Sequence, residues 1–177
     1  MTRGGAAGTY LVQMRITDEI DYAASPEQVF AMLSDEDFQR RKCQATGALS
    51  SQVSVTVNGE RTVIRTRRTM PTATFPDFVK SMVGDTLPLI QTDDWGPPAA
   101  DGSRQGTLTV EVSGAPLGVT GTLALKPRGA GTVEHIECDL KARVPLFGSR
   151  IESAAVPAIR AGITVEQHTG QVWLRGT

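Results

Sequence analysis

Two glutamates stand where an apolar surface is expected, close to the end of the chain. In residues 147–174 the apolar side chains recur at the spacing of one helical face, and Glu152 and Glu166 fall inside that face. A carboxylate on a core-facing surface must find a partner, face a wet cavity or shift its pKa. Either glutamate is therefore a candidate acid or base, although a general base also needs a neighbour that the sequence does not place.

Each glutamate also has a structural interpretation. Glu152 lies one turn into the predicted helix, where the helix dipole and the free N–H groups stabilise a negative charge, so it can anchor the helix start. Glu166 lies near the other end, where a glutamate can reach solvent or meet an arginine. The sequence establishes no catalytic residue, and Glu152 is the candidate that we carry forward.

Few other residues are placed to do chemistry. The two histidines are far apart, and Cys43 and Cys138 show neither metal-ligand spacing nor a disulfide framework. We therefore expect no metal, and nothing in the sequence requires a cofactor. His135 alternates with polar residues and is expected to be exposed. Cys138 alternates with apolar residues and is expected in a core or cavity, without a histidine to activate it.

Composition excludes several classes of partner. The chain has 177 residues, of which 40% are hydrophobic and 21% charged, as in an ordinary soluble domain. Its net charge of −1 argues against nucleic acid, which attracts a basic excess. No apolar run approaches the ~20 residues of a membrane span, so no integral membrane association is expected. No secretory signal is visible, and the cytoplasm is the expected compartment.

The first thirteen residues look detached from the remainder. Residues 1–13 read MTRGGAAGTYLVQ and show no periodicity. We expect either a disordered tail there or a true start of the protein at Met14, followed by a single domain over residues 14–177. The expected oligomeric state is a monomer or a weak dimer.

The elements that must position the terminal helix begin with one strand and two short helices. Residues 14–22 alternate like a half-buried strand. The sequence Ser25-Pro26-Glu27-Gln28 then begins a helix with a capping box. A second helix over residues 35–44 is expected to turn Phe38 inward and to expose a basic triplet, Arg40, Arg41 and Lys42.

The middle of the chain is mostly β. Strands are predicted at residues 48–57, 60–70, 86–95, 106–113, 118–126 and 132–144, separated by turn residues that include Asn58-Gly59. Short connections imply an antiparallel meander. Residues 75–83 interrupt it with an amphipathic helix. A lid over a cavity and a plain cap on the core need the same pattern, so both interpretations stay open.

This order resembles the helix-grip fold of the START and Bet v 1-like (SRPBCC) superfamily. The residues that carry the resemblance are IDYAASPEQVF from Ile20 to Phe30, and Val144-Pro145-Leu146-Phe147-Gly148 with Glu152. Further positions are similar to the domain-of-unknown-function 2505 family: Arg68, Met70-Pro71, Val83-Gly84 and Trp95. The resemblance covers residues 14–174. It implies an α+β fold with a curved seven-stranded antiparallel sheet wrapped around a long C-terminal helix, and two short helices after strand 1.

The resemblance also implies a cavity between sheet and helix, in which members bind lipids, sterols, polyketides or plant hormones. Our first hypothesis is a non-catalytic binding or carrier protein for a small hydrophobic molecule. The expected cavity residues are Ile136, Cys138, Leu140, Glu152, Val156, Ile159 and Ile163, with Phe78, Met82 and Trp95 at the entrance. One alternative is a cyclase- or aromatase-type enzyme that uses Glu152. Another is a regulatory module that binds a partner protein through residues 75–82.

Overall fold

The computed structural model describes residues 14–176. The predicted tail, residues 1–13, lies outside the described residues. The elements in chain order are β1 (Met14–Tyr22), α1 (Pro26–Leu33), α2 (Glu36–Ala45), β2 (Ser50–Asn58), β3 (Arg61–Pro71), α3 (Asp77–Val83), β4 (Thr86–Trp95), β5 (Arg104–Val112), β6 (Leu117–Arg128), β7 (Gly131–Ala142) and α4 (Gly148–Arg175). This order confirms the predicted strand, helix pair, strands and terminal helix.

The strands form one antiparallel sheet in the order β1-β7-β6-β5-β4-β3-β2. Strands β2 to β7 are a meander in which each strand pairs with the next, whereas β1 pairs with β7 from Met14↔Leu140 to Tyr22↔Thr132. The strands β1 and β2 are consecutive in sequence but lie at opposite edges, because α1 and α2 carry the chain between them. The curved sheet therefore has one concave face for α4 to cover.

Local sequence explains how the first helices begin. The Ser25 hydroxyl accepts a hydrogen bond from the Gln28 N–H, and the Gln28 side chain accepts one from the Ser25 N–H, so the predicted capping box is present. The Asp35 carboxylate caps α2 by accepting from the N–H groups of Asp37 and Phe38. Both helices are thus fixed at their first turn, α1 where the chain leaves β1 and α2 directly after α1.

The long helix α4 lies tightly against other elements at its C-terminal end. A Cβ added at Gly170 would lie 2.6 Å from Cε1 of Tyr22, so only glycine fits this approach of the helix to β1. Three residues later, Trp173 packs edge-to-face on Phe38 of α2, with ring centroids 5.7 Å apart. This end of the space between helix and sheet is consequently filled.

The other end of α4 follows a sharp turn. The strand β7 ends at Ala142 rather than at the predicted residue 144, and Leu146 has a φ of 65°, which is rare for a residue with a side chain. Leu146 is also 94% exposed.

Within residues 14–176, no helix is both long and apolar enough to cross a membrane.

Candidate functional site

A cavity of about 480 Å³ lies between the concave face of the sheet and α4. Its volume falls in the range of roughly 300–1,000 Å³ that is usual for small-molecule sites. Strands β3 to β7 and helices α2, α3 and α4 all contribute to its wall. The size and the number of contributing elements make it the candidate functional site.

Apolar side chains from four strands and from α4 make up most of the wall. They are Leu87, Leu89, Leu108, Val110, Val112, Leu117, Val119, Leu123, Ile136, Leu140, Ile151, Ala155, Ile159 and Ile163. Such a surface holds an apolar molecule by removing it from water but does not fix its orientation, which requires polar groups.

Six of the ten cavity residues expected from the sequence lie on this wall. They are Ile136, Cys138, Leu140, Ile159, Ile163 and Met82. Burial raises the pKa of the Cys138 thiol, so it stays neutral and acts as a small apolar surface. That these residues contact a ligand remains a prediction.

Three apolar residues expected in the cavity lie elsewhere. Trp95 is 1% exposed and packs edge-to-face on Phe30 at 6.1 Å between ring centroids, so it belongs to the closed core. Val156 packs against the same core and does not line the cavity. Phe78 turns its ring toward the guanidinium of Arg150.

Glu152 is also absent from the wall. Its side chain is buried, and its Oε1 accepts a hydrogen bond from the backbone N–H of Ala142 at 2.9 Å. The carboxylate thereby joins the last residue of β7 to the first turn of α4. This geometry agrees with the anchoring interpretation and gives no support to Glu152 as a cavity acid.

Glu166, the second glutamate of α4, does line the cavity, and its partner is Lys42. Lys42 was expected to be exposed, but its side chain is 4% exposed and its Nζ lies 3.0 Å from Oε2 of Glu166. The reason is helical spacing, since Lys42 is four residues after the buried Phe38 and shares its face. Burial opposes the charge of Lys42, but Glu166 and Asp93 outweigh it and raise the pKa of the ammonium.

Three polar residues from β3 and β4 stand beside this pair. The Nη2 of Arg68 donates to Oε1 of Gln91 at 3.1 Å, and the Nε2 of Gln91 donates to both carboxylate oxygens of Asp93 at 3.0 and 3.1 Å. Asp93 is 7% exposed, and burial raises its pKa to about 6 although Lys42 and Gln91 favour the charged form. The chain Arg68–Gln91–Asp93 thus carries a positive charge at one end and a titratable carboxyl at the other.

Glu134 of β7 completes the polar part of the wall. It is 3% exposed and lines the cavity, and its Oε2 accepts a hydrogen bond from the Tyr22 hydroxyl at 3.4 Å. Burial, followed by the nearby charge of Glu166, raises the pKa of Glu134 well above its usual value and favours the neutral acid. We call Lys42, Arg68, Gln91, Asp93, Glu134 and Glu166 the polar cluster.

A seven-stranded antiparallel sheet that grips a long terminal helix over an internal cavity is the helix-grip fold of START and Bet v 1-like proteins. The chain belongs to the family described as "Protein of unknown function (DUF2505)", whose model matches residues 17–174. Both findings confirm the resemblance seen in the sequence.

Individual relatives and solved structures are distant in sequence. An uncharacterised protein of Mycobacterium tuberculosis is 22% identical over 166 residues, which cover 87% of this chain and 92% of that protein. The structure is similar to that of TTHA0849 from Thermus thermophilus, with a TM-score of 0.61, 16% identity and coverage of 89% of this chain and 94% of the other. It is also similar to the ZhuI aromatase/cyclase from Streptomyces sp. R1128, with a TM-score of 0.58, 11% identity and coverage of 89% and 93%. A START superfamily protein from Mycobacterium smegmatis has a TM-score of 0.55 at 13% identity, covering 87% and 94%.

Proposed function

We propose that this protein binds one small hydrophobic molecule between the sheet and α4, as a binding or carrier protein. The observation that carries the proposal is the cavity itself: about 480 Å³, mostly apolar, with its polar groups gathered in one cluster. An apolar wall with a few convergent polar groups is the usual composition of a ligand site.

The similar structures support this proposal only at the level of fold. One of them is described as a START superfamily protein and another as an aromatase/cyclase. At identities of 13% and 11% they do not transfer a ligand to this chain. The argument for binding therefore rests on the volume and the lining of the cavity.

An enzyme is the second candidate, and the polar cluster is the observation that favours it. Asp93 and Glu134 are buried carboxyls on the cavity wall, and burial raises the pKa of both, that of Asp93 to about 6, which suits proton transfer near neutral pH. Glu152, the candidate from the sequence, is replaced in this role because it does not line the cavity and its Oε1 is bound to the backbone N–H of Ala142. If the wild type converts a bound hydrophobic molecule and both Asp93→Asn and Glu134→Gln lose this activity, the result would favour an enzyme over a carrier.

The partner-protein alternative has no such support. Phe75, Val79 and Met82 from the segment that was expected to dock a partner lie on the cavity wall instead. Part of their apolar surface therefore faces the cavity, while Met82 stays 46% exposed.

Titration with the neutral fluorescent probe N-phenyl-1-naphthylamine tests the binding proposal. We expect saturable uptake by the wild type and loss of uptake in Ile159→Trp, because the indole would fill the cavity from α4. Ser153→Trp, on the exposed side of the same helix, is the matched control and should bind like the wild type. A wild type that takes up no probe, or an Ile159→Trp variant that binds as well as Ser153→Trp, would contradict the proposal.

A further inference from the structure

The polar cluster contains one carboxyl more than its cations can match. Lys42 is paired with Glu166 at 3.0 Å, and Arg68 is linked to Asp93 through the side chain of Gln91. These contacts set two positive charges against two negative ones. Glu134 is the fifth ionisable group, and among residues 14–176 it forms no ion pair within 4.0 Å.

Glu134 also retains unused hydrogen-bonding capacity toward the cavity. Its hydrogen bond with the Tyr22 hydroxyl is 3.4 Å long, whereas O–H···O bonds are ordinarily about 2.5–3.0 Å. A carboxylic acid can donate one hydrogen bond and accept others. Arg68 adds a further donor, since its Nε is buried and has no hydrogen-bond partner among the described residues. Buried polar groups normally find partners, so Glu134 and Arg68 can each bind a polar group that the chain does not supply.

We propose that the polar cluster is a subsite for the uncharged hydroxyl end of an amphipathic ligand, with Glu134 as its main hydrogen-bonding partner and the apolar wall holding the remainder. The inference rests on the proposed function, because it names the chemical class of the molecule that the same cavity binds. A hydroxyl donates and accepts, which matches the donor and acceptor of a neutral Glu134 side chain.

Charge explains why the ligand end is neutral. A ligand carboxylate would enter a buried site that already holds Asp93, Glu134 and Glu166. A ligand ammonium would meet the cations of Lys42 and Arg68, and the one carboxyl that these cations leave unmatched, Glu134, is favoured by burial in its neutral form. Because a buried charge is expensive unless it has a dedicated partner, each charged end binds less well than a hydroxyl. Burial and the neighbouring Glu166 raise the pKa of Glu134, and this direction agrees with a neutral ligand end.

Displacement of N-phenyl-1-naphthylamine by three ligands with the same chain length tests the inference. At neutral pH we expect 1-dodecanol to displace the probe about 10-fold more tightly than dodecanoate or dodecylammonium, the effect of one well-placed hydrogen bond. If either charged ligand displaces the probe as well as 1-dodecanol does, the hydroxyl subsite is wrong while the cavity proposal stands. If the wild type takes up no probe, the proposed function fails and the subsite fails with it.

Variants at two glutamates of β7 locate the effect. Glu134→Leu should reduce the affinity for 1-dodecanol about 10-fold relative to its affinity for the probe. Glu137→Leu is the matched control, because Glu137 lies on the same strand with its side chain 51% exposed on the outer face, and it should keep the wild-type ratio. Glu134→Gln keeps a donor and an acceptor and should retain the preference for the alcohol, which provides a test if Glu134→Leu does not fold. A wild-type ratio in Glu134→Leu, or a Glu134→Gln variant that loses the alcohol preference, would overturn the inference.

Discussion

Glu152 and Glu166 lie on the same face of one helix, about 21 Å apart along its axis, and they have different roles. Glu152 accepts a hydrogen bond from the backbone of Ala142, only 10 residues earlier in the chain. Glu166 pairs with Lys42, which is 124 residues away and belongs to another helix. The first contact fixes the start of α4, and the second places charge in the wall of the cavity.

The comparison teaches that the neighbour of a buried carboxylate decides its role. Both positions satisfy the same helical pattern. A backbone N–H offers a fixed partner that needs no other charge, so Glu152 is satisfied where it stands. A lysine brings a charge of its own, and that charge also acts on Asp93 and Glu134. Around Glu166, several charged groups therefore influence one another. Glu152 makes a single contact that anchors the helix.

Removal of Lys42, the partner of Glu166, should destabilise the protein more than any change at Glu152. Lys42→Met leaves the partly buried Glu166 without its cation, so we expect the free energy of unfolding to fall by about 3 kcal/mol. Urea denaturation at neutral pH measures the loss. The double variant Lys42→Met/Glu166→Leu removes both charges and should recover most of it. A loss below about 1 kcal/mol for the single variant, typical of an exposed pair, would show that the pair is not buried in solution.

The pH dependence of stability tests the interactions around Glu166 through one of the neighbouring carboxyls, that of Asp93. Burial raises the pKa of this carboxyl from 3.8 to about 6 in the folded protein. A carboxyl with a raised pKa holds its proton more tightly when folded, so its contribution is complete below the unfolded pKa and is lost as the pH rises through about 6. The contribution to the free energy of unfolding is about 3 kcal/mol.

The variant Asp93→Asn isolates that contribution because it has no proton to lose. Relative to the wild type, its free energy of unfolding should rise by about 2.5 kcal/mol between about pH 4 and about pH 8. Urea denaturation of both proteins over this range provides the difference. Asp94→Asn changes the next residue of β4, which is partly exposed and paired with Arg61, and as the matched control it should show no such rise. A flat difference for Asp93→Asn would mean that Asp93 is hydrated in solution.

At the other end of the helix the expected effects are smaller. Glu152→Ala leaves the Ala142 N–H without its acceptor and should cost about 1–3 kcal/mol. Glu152→Gln keeps an acceptor oxygen and should cost less than about 1 kcal/mol. Neither change should alter uptake of N-phenyl-1-naphthylamine by folded protein, since Glu152 is not on the cavity wall. Thermal unfolding measures the change in stability, and probe titration measures uptake. A Glu152→Gln variant with wild-type stability but weakened uptake would show that Glu152 contributes to ligand binding.

Most of the fold was predictable because the signals that define it are local. Alternation over β1, the capping box at Ser25 and the Asn58-Gly59 turn each depend on a few adjacent residues. The apolar wall followed from the same patterns, since strand alternation and helical spacing placed six of the expected residues on it. Trp95 was misplaced because a large aromatic on the inner face can fill the core as readily as line a cavity.

The polar cluster was only partly accessible from the sequence. Glu134 shares the alternation phase of Ile136, and Lys42 is four residues from Phe38, so both carried a signal that the sequence analysis did not use. The contact between Arg68 and Gln91 depends instead on the register of β3 and β4, in which Gln91 pairs with Thr66 and Leu89 with Arg68. The Lys42–Glu166 pair depends on the packing of α2 against α4. Neither arrangement is specified by local propensity.

The most direct test of the account is the position of a bound probe, which backbone amide chemical-shift changes on titration with N-phenyl-1-naphthylamine report. We predict the largest changes at the cavity segments of β7 and α4, residues 134–140 and 159–166. Small changes are expected at the Glu152 anchor and at the exposed residues of β2, such as Val57. The largest changes at surface-exposed apolar residues such as Leu146 and Phe147, with residues 134–140 unaffected, would contradict an internal ligand site.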